Sequence, residues 1–235
     1  MTVTADLHNH SCLSPCGDLY ASPRAVAKTA CRRGINLIAL TDHNCARNAP
    51  AFEAACREVG IVALFGLEVT SREEVHLLTL FERVEEALEF DRWVWQRLPD
   101  IPNDPQRFGD QVVVDEDEVI VEEVEKFLLP GIEASIEEIG KEAHTLGGLF
   151  IPAHIDRSSY SMISQLGFLP PGEYDAVEVT RWPPATREYP LVCDSDAHYL
   201  EDIGRRTFRF EAAEASFRTV KEALLSRAVT LSIAG

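Results

Sequence analysis

The sequence has no apolar run approaching the roughly 20 residues that a membrane span requires, and its start lacks the basic-then-apolar pattern of a secretory leader. A cytoplasmic protein with no membrane partner is expected. Cationic side chains are scarce: 22 Lys and Arg stand against 39 Asp and Glu, a formal net charge of −17. That balance argues against a broad basic face for long duplex nucleic acid and favours small or short substrates, leaving room for a local basic pocket. The six cysteines, Cys12, Cys16, Cys31, Cys45, Cys56 and Cys193, form no Cys-x-x-Cys pair. A chain of this size needs no disulfide staples, so mostly free thiols are expected. Internal repeats and low-complexity segments are absent. The acidic run Asp115-Glu116-Asp117-Glu118 lacks the regularly spaced oxygens of a calcium loop and reads as a solvated turn.

What the chain does have is enough apolar content, 46% of 235 residues, to bury one full core over residues 1–235. Strand-like runs at 2–7, 35–40, 61–67 and 75–81 alternate in part with helical patterns at 22–34 and 49–59, the second closed by Gly60. This rhythm predicts a parallel α/β sheet. It breaks at about 82–130, which reads as an insertion: a helix around Trp93 and Trp95, a Pro-rich loop, and a hairpin of 111–114 with 119–122. Regular structure resumes with a helix over 132–146, strands at 149–153, 176–179, 189–193 and 207–210, and a final helix over 216–226.

Chemistry-bearing residues gather at the ends of these strands. In an extended chain His8 and His10 project to the same side and form a two-toothed metal clamp. Thr41-Asp42-His43, Glu68, His76, His154 and Asp196-Ala197-His198 add the imidazoles and carboxylates of a metal cluster. His76 taken alone also reads as a core histidine, and His144, near a helix end, as a solvated or dipole-favoured one. Asp42 and Asp6 sit where they could orient a ligand rather than bind a metal themselves.

This constellation, His8-Asn9-His10, Thr41-Asp42-His43, Gly66-Leu67-Glu68, His76, His154 and Asp196-Ala197-His198, resembles the PHP family, named for its polymerase and histidinol-phosphatase members. The resemblance covers most of the chain. It implies a distorted barrel of seven βα units with a small inserted segment, two or three divalent ions (zinc, manganese or iron) at the C-terminal strand ends, and phosphoester hydrolysis. It assigns His8, His10, Glu68 and Asp196 to one ion, Glu68, His76 and His154 to a second, and His43 with His198 to a third. Where the family often places an Asp or His shortly after the His-x-His pair, this chain has Ser14-Pro15-Cys16-Gly17-Asp18, so Cys16 and Asp18 are the candidate substitutes. A thiolate there would favour a softer ion such as zinc or iron.

The chemistry expected is attack of an activated water on phosphorus, with Glu68, Asp196, His198 and Arg157 as catalytic candidates and Arg157, Arg181 and Arg187 as binders of substrate phosphate or inorganic phosphate. His198 and a water are both candidates to protonate the leaving oxygen. A small phosphomonoester, such as a nucleotide, is the favoured substrate. The alternatives are an exonuclease directed at the 5′ end of short oligonucleotides, an amidohydrolase-like C–N hydrolase, and a non-catalytic metal-stabilised binding module.

Overall fold

The computed structural model describes residues 1–233. In chain order the elements are β1 (Thr2–Asp6), α1 (Pro23–Arg32), β2 (Leu37–Leu40), α2 (Ala49–Val59), β3 (Val62–Thr70), β4 (His76–Phe81), α3 (Val84–Trp95) and α4 (Pro105–Phe108). They continue as β5 (Val112–Val114), β6 (Ile120–Glu123), α5 (Ile136–Thr145), β7 (Leu149–Pro152), α6 (Met162–Leu166), β8 (Val177–Glu178), β9 (Leu191–Val192), β10 (Arg206–Glu211), α7 (Phe217–Leu225) and β11 (Thr230–Ile233). Local signals set several boundaries. Ser22 Oγ accepts from the Ala25 N–H ahead of Pro23 and starts α1, and Gly60, with φ 74°, ends α2 in the left-handed conformation.

Seven strands form one curled half-barrel sheet in the order β11-β10-β1-β2-β3-β4-β7, a distorted barrel of PHP type. The sheet is mixed, which corrects the all-parallel expectation: only the β1–β2 and β2–β3 pairs are parallel, while β4, β7, β10 and β11 join the sheet by antiparallel pairing. For β4 the reason is loop length. Thr70 lies opposite His76 across a tight connection, and a link that short makes a hairpin, since a parallel crossover needs a dozen or more residues. The predicted strands at 176–179 and 189–193 also stay outside the main sheet, where β8 and β9 form a separate parallel pair.

One face of the sheet packs on α1, α2, α3 and α5 through Val26, Phe52, Phe90 and Ile139. The other packs on α7 through Phe217, Val220 and Leu224, against Val3, Leu37, Leu64 and Phe208. Each fully enclosed side chain of the size of Phe90 or Phe208 contributes about 1.5–3 kcal/mol. Within 82–130, α3 therefore belongs to the layer that covers the sheet, whereas β5 and β6 stand apart as a hairpin. The helix expected over 132–146 starts later, at Ile136, behind a Ser135–Glu138 capping box. Residues 132–134 are instead pinned beside β3: the Ile132 N–H donates to the Thr70 carbonyl and the Arg72 N–H to the Ala134 carbonyl. All six cysteines are free, and no described helix is long and apolar enough to cross a membrane.

Candidate metal centre

Six of the chain's seven histidines converge at one end of the sheet. The backbone that carries them is locked by strand-like pairing. The Thr41 N–H donates to the Asn9 carbonyl, the His10 N–H to the Ala197 carbonyl, and the Asn44 N–H to the Glu68 carbonyl. Glu68 lies on β3, and β4 presses so closely on that strand that a Cβ at Gly66 would fall 2.1 Å from the Thr79 carbonyl oxygen. Only glycine fits there. His76 opens its strand rather than closing it, and the reversed direction of β4 is what brings it to the same end as Glu68.

Two buried hydrogen bonds fix the tautomers of the His8–His10 pair. His8 Nδ1–H donates to Glu178 Oε2 at 3.1 Å. Ser14 Oγ donates to Asp42 Oδ1 at 2.7 Å, so it accepts from His10 Nδ1–H at 3.0 Å and from the His43 N–H at 3.1 Å. Both Nε2 atoms then carry lone pairs whenever the rings are neutral. They stand 3.2 Å apart, each 3.3 Å from an oxygen of Glu68 and 3.6 Å from Asp196 Oδ1. Electron-rich atoms at these separations repel unless a cation lies among them.

The surrounding atoms fit the same description. His43 Nδ1, His76 Nδ1, His154 Nδ1, Glu68 Oε2 and Asp196 Oδ1 are buried without a hydrogen-bond partner. His43 Nδ1 and His76 Nδ1 nevertheless lie 3.1 and 2.8 Å from Glu68 oxygens. Three groups could each hold an ion: His8, His10, Glu68 and Asp196; His43, Glu68 and His76; and His10, His43 and His198. The first is the set that the resemblance assigned to one ion. In the second, His43 stands where the resemblance placed His154, whose Nε2 lies 3.1 Å from Glu68 Oε1. Ligand count, burial and donor type suit divalent cations.

Charge follows the same geometry. Burial opposes ionisation of Glu68, but His76, His8 and His43 hold its carboxyl well below the usual range. Asp196 is lowered against burial by His8 and His10. Burial disfavours a proton on His8, yet Glu68, Glu178 and Asp196 raise it well above the ordinary imidazole value. Burial holds His43 and His76 down, and takes His198 to about 4. The backbone is strained here as well: Asn44, His154, Tyr160 and Asp196 all have positive φ, between 29° and 53°, a region that non-glycine residues rarely occupy and that clusters at functional sites.

The other expected residues divide. Arg157 lines the mouth, a cavity of about 190 Å³ shared with Cys16, Leu129 and Tyr160, and its Nη1 donates to Asp196 Oδ2 at 2.6 Å. Cys16 is exposed at this mouth but falls in none of the three groups. Asp18 is also outside them, and its carboxylate accepts from the Tyr20 N–H in a turn. Arg181 donates to the Asp156 carbonyl and Arg187 lines a separate cavity beside Trp182, so neither reaches the mouth. His144 pairs with Asp175 at 2.8 Å, away from the cluster.

The sequence reading missed Ser14, Glu178, Arg205 and Arg206. Glu178 Oε2 receives the His154 N–H at 2.7 Å as well as His8, and ties two strand ends together. The available signal was an acid inside the apolar run Ala176-Val177-Glu178-Val179. Arg205 and Arg206 clasp the carbonyls of Ser195 and Asp194 behind the strained Asp196.

Residues 6–95 match the family model described as the PHP domain. Over that stretch the chain is similar to the PHP domain. His154, Asp196 and His198 lie beyond the matched residues, and it is the fold that brings them to the PHP ligands. A 5′-3′ exoribonuclease of Haemophilus influenzae is 35% identical over 83 residues, 34% of this chain and 29% of that protein. Among solved structures, the lesion-specific endonuclease of Pyrococcus furiosus superposes with a TM-score of 0.71 at 19% identity, over 98% of this chain and 58% of that one. Endonuclease Q bound to a 27-mer duplex with an abasic lesion gives 0.72 at 21% identity, over 96% of this chain and 57% of that one. This chain thus spans little more than half of those endonucleases, and at these identities the likeness is one of fold.

Proposed function

We propose that this protein is a metal-dependent hydrolase of phosphomonoesters, with a nucleotide as its smallest substrate. The observation that carries the reading is the set of buried lone pairs around Glu68 and Asp196, beside a mouth that an arginine lines. His8, His10, Glu68 and Asp196 would hold one ion. Glu68, His76 and the nearby His43 and His154 would hold a second, and His10, His43 and His198 a third. Divalent ions at such sites supply a water of lowered pKa and neutralise charge on a phosphoryl group.

The chain's own residues do the rest. Glu68 spans two groups with its two oxygens. Arg157, with one N–H on Asp196, keeps further donors for a phosphate oxygen at the mouth. His198 donates Nδ1–H to the Asp196 carbonyl at 3.2 Å, which leaves Nε2 as a ligand atom rather than a proton donor. Leu129 closes one side, held by Asn44 Nδ2 donating to the Leu128 and Pro130 carbonyls.

A second reading, removal of nucleotides from the phosphorylated end of a strand, is favoured by a cavity of about 560 Å³ that opens directly off the mouth and carries Arg157, Arg205 and Arg206. The named relatives that act on nucleic acid support it. A panel of phosphomonoesters, 5′-phosphorylated oligonucleotides and amides, assayed before and after chelation, tests both. Chelator-sensitive phosphate or nucleotide release is expected. Amide cleavage alone would place the protein with C–N hydrolases, and no turnover on any substrate would leave a binding module.

A further inference from the structure

We propose that a single nucleic-acid strand lies with its phosphorylated end at the Glu68 cluster and runs outward through two more cavities to a platform formed by Trp182 and two arginines. The inference rests on the phosphoester reading and names the kind of molecule that extends from the reacting phosphate.

Continuity is the first support. The mouth shares Cys16, Arg157, Asp196 and His198 with the 560 Å³ cavity. That cavity reaches Thr180 and Arg206. A third cavity of about 600 Å³ begins at Trp182, two residues beyond Thr180, and also includes Ile233, the register partner of Arg206 between β10 and β11. The outer two cavities share no lining residue, and these two links along the chain and across the sheet set their walls side by side. Each has a volume that accepts a nucleotide-sized ligand.

Charge is the second. In a chain of net charge −17, the middle cavity carries Arg157, Arg205 and Arg206 against Asp196 and Asp202, and the outer one carries Arg187 and Arg227 with no carboxylate. Two other cavities of similar size have the opposite balance. One sets Asp100, Glu122, Glu123 and Glu125 against Lys126, and the other sets Glu73, Glu137 and Glu173 against Lys141. Among these four cavities arginine outnumbers carboxylate only in the two that lead away from the phosphoryl site, which suits a ligand with regularly repeated negative charge. Of the arginines that also hold backbone, Arg205 engages all three nitrogens, with the Ser195 and Asp196 carbonyls and Asp202, and Arg227 both Nη atoms, with the Arg187 and Glu188 carbonyls, so a ligand meets only the second N–H of each Nη and the Arg227 Nε–H. Arg206 uses Nε and Nη2 on the Asp194 and Ser195 carbonyls, and among the described residues Nη1 has no partner.

Exposed rings are the third. Trp182 is 64% exposed and Tyr199 is 50% exposed. Arg187 lies 5.8 Å from the Trp182 ring centre, an arrangement that offers a base one stacking face and its phosphate a cation. Rings reached in this way meet the faces of unpaired bases, which is why the occupant is a single strand rather than a duplex.

The test is fluorescence anisotropy with labelled, 5′-phosphorylated oligothymidylate and oligouridylate of about six nucleotides, competed by the matching mononucleotide and by a duplex, with phosphate or nucleotide release followed in parallel. The strand should bind roughly tenfold tighter than the mononucleotide and lose affinity with salt at a slope of about −0.7 per phosphate neutralised. Trp182→Ala and, separately, Arg187→Glu should each bring the strand-to-mononucleotide ratio close to unity. Both side chains are exposed, so the fold is not at risk. A wild-type ratio near unity, a ratio unchanged in both variants, or a duplex binding as tightly as the strand would overturn the proposal. Phosphate release from a mononucleotide without strand preference would refute the track and leave the hydrolase reading standing. Strand binding without any release would do the reverse.

Discussion

His8 and His10 do the same work, presenting Nε2 to Glu68 and Asp196, but they are held by different means. His10 is set by Ser14, four residues away, which hands the constraint on to Asp42. His8 is set by Glu178, 170 residues away, on a short strand that does not belong to the main sheet. A local hydroxyl relay is formed by one turn of chain and depends on little else. A buried carboxylate delivered from the far half depends on the whole fold, and in return Glu178 holds His154 as well. Such outer partners of metal-binding histidines commonly matter about 10–100-fold in metal affinity, so the two clamps should differ in how much their loss costs.

The largest effect is expected where both clamps deliver their histidines. Glu68→Gln should lose the ions of both groups that share Glu68 and reduce phosphate release to the level of the metal-free protein, as read by elemental analysis and turnover together. Glu178→Ala comes next, with metal affinity down by about 10–100-fold in chelator competition. Glu178→Gln, which keeps an accepting oxygen, should recover most of that loss, and an equal loss in both variants would mean that charge rather than geometry is at stake. Ser14→Ala should cost about tenfold or less, because Asp42 keeps its bonds to the Ser11 N–H and hydroxyl. A Ser14 effect exceeding that of Glu178 would break the contrast drawn between the two clamps.

Protons sharpen the same comparison. Burial works against a proton on His8, but Glu68, Glu178 and Asp196 raise its pKa well above the usual value, so the metal-free protein holds a proton there that an ion must displace. Metal affinity should therefore fall as pH falls, beginning above the ordinary histidine range, with proton release visible by calorimetry in buffers of different ionisation heat. Removing the Glu178 charge should move that onset to lower pH. Smallest of all is an exposed control, the Arg83–Glu86 pair at 2.7 Å: Arg83→Ala should leave the urea unfolding midpoint essentially unchanged and metal content unaltered.

The strand-end histidines and Glu68 were legible because metal ligands of these types at alternating or strand-terminal positions have few other uses, and the PHP pattern orders them. Glu178 was not, because its partners are fixed by a fold that no local pattern encodes. Sheet direction was misread for a related reason: the periodicity of 75–81 marks a strand, while only the short link from Thr70 to His76 says that it turns back. Net charge left room for a local basic pocket without placing it. A total of −17 averages over a surface on which arginines and carboxylates are separated, and so it says little about the face beside the mouth.

The most direct test of the central claim is the metal content of the purified protein by elemental mass spectrometry, paired with phosphate release before and after chelation. The account predicts two or three divalent ions per chain, the number that the three ligand groups can hold, and release that disappears on chelation and returns when the ions are restored. Fewer than two ions after anaerobic reconstitution, with no release of phosphate, would contradict it.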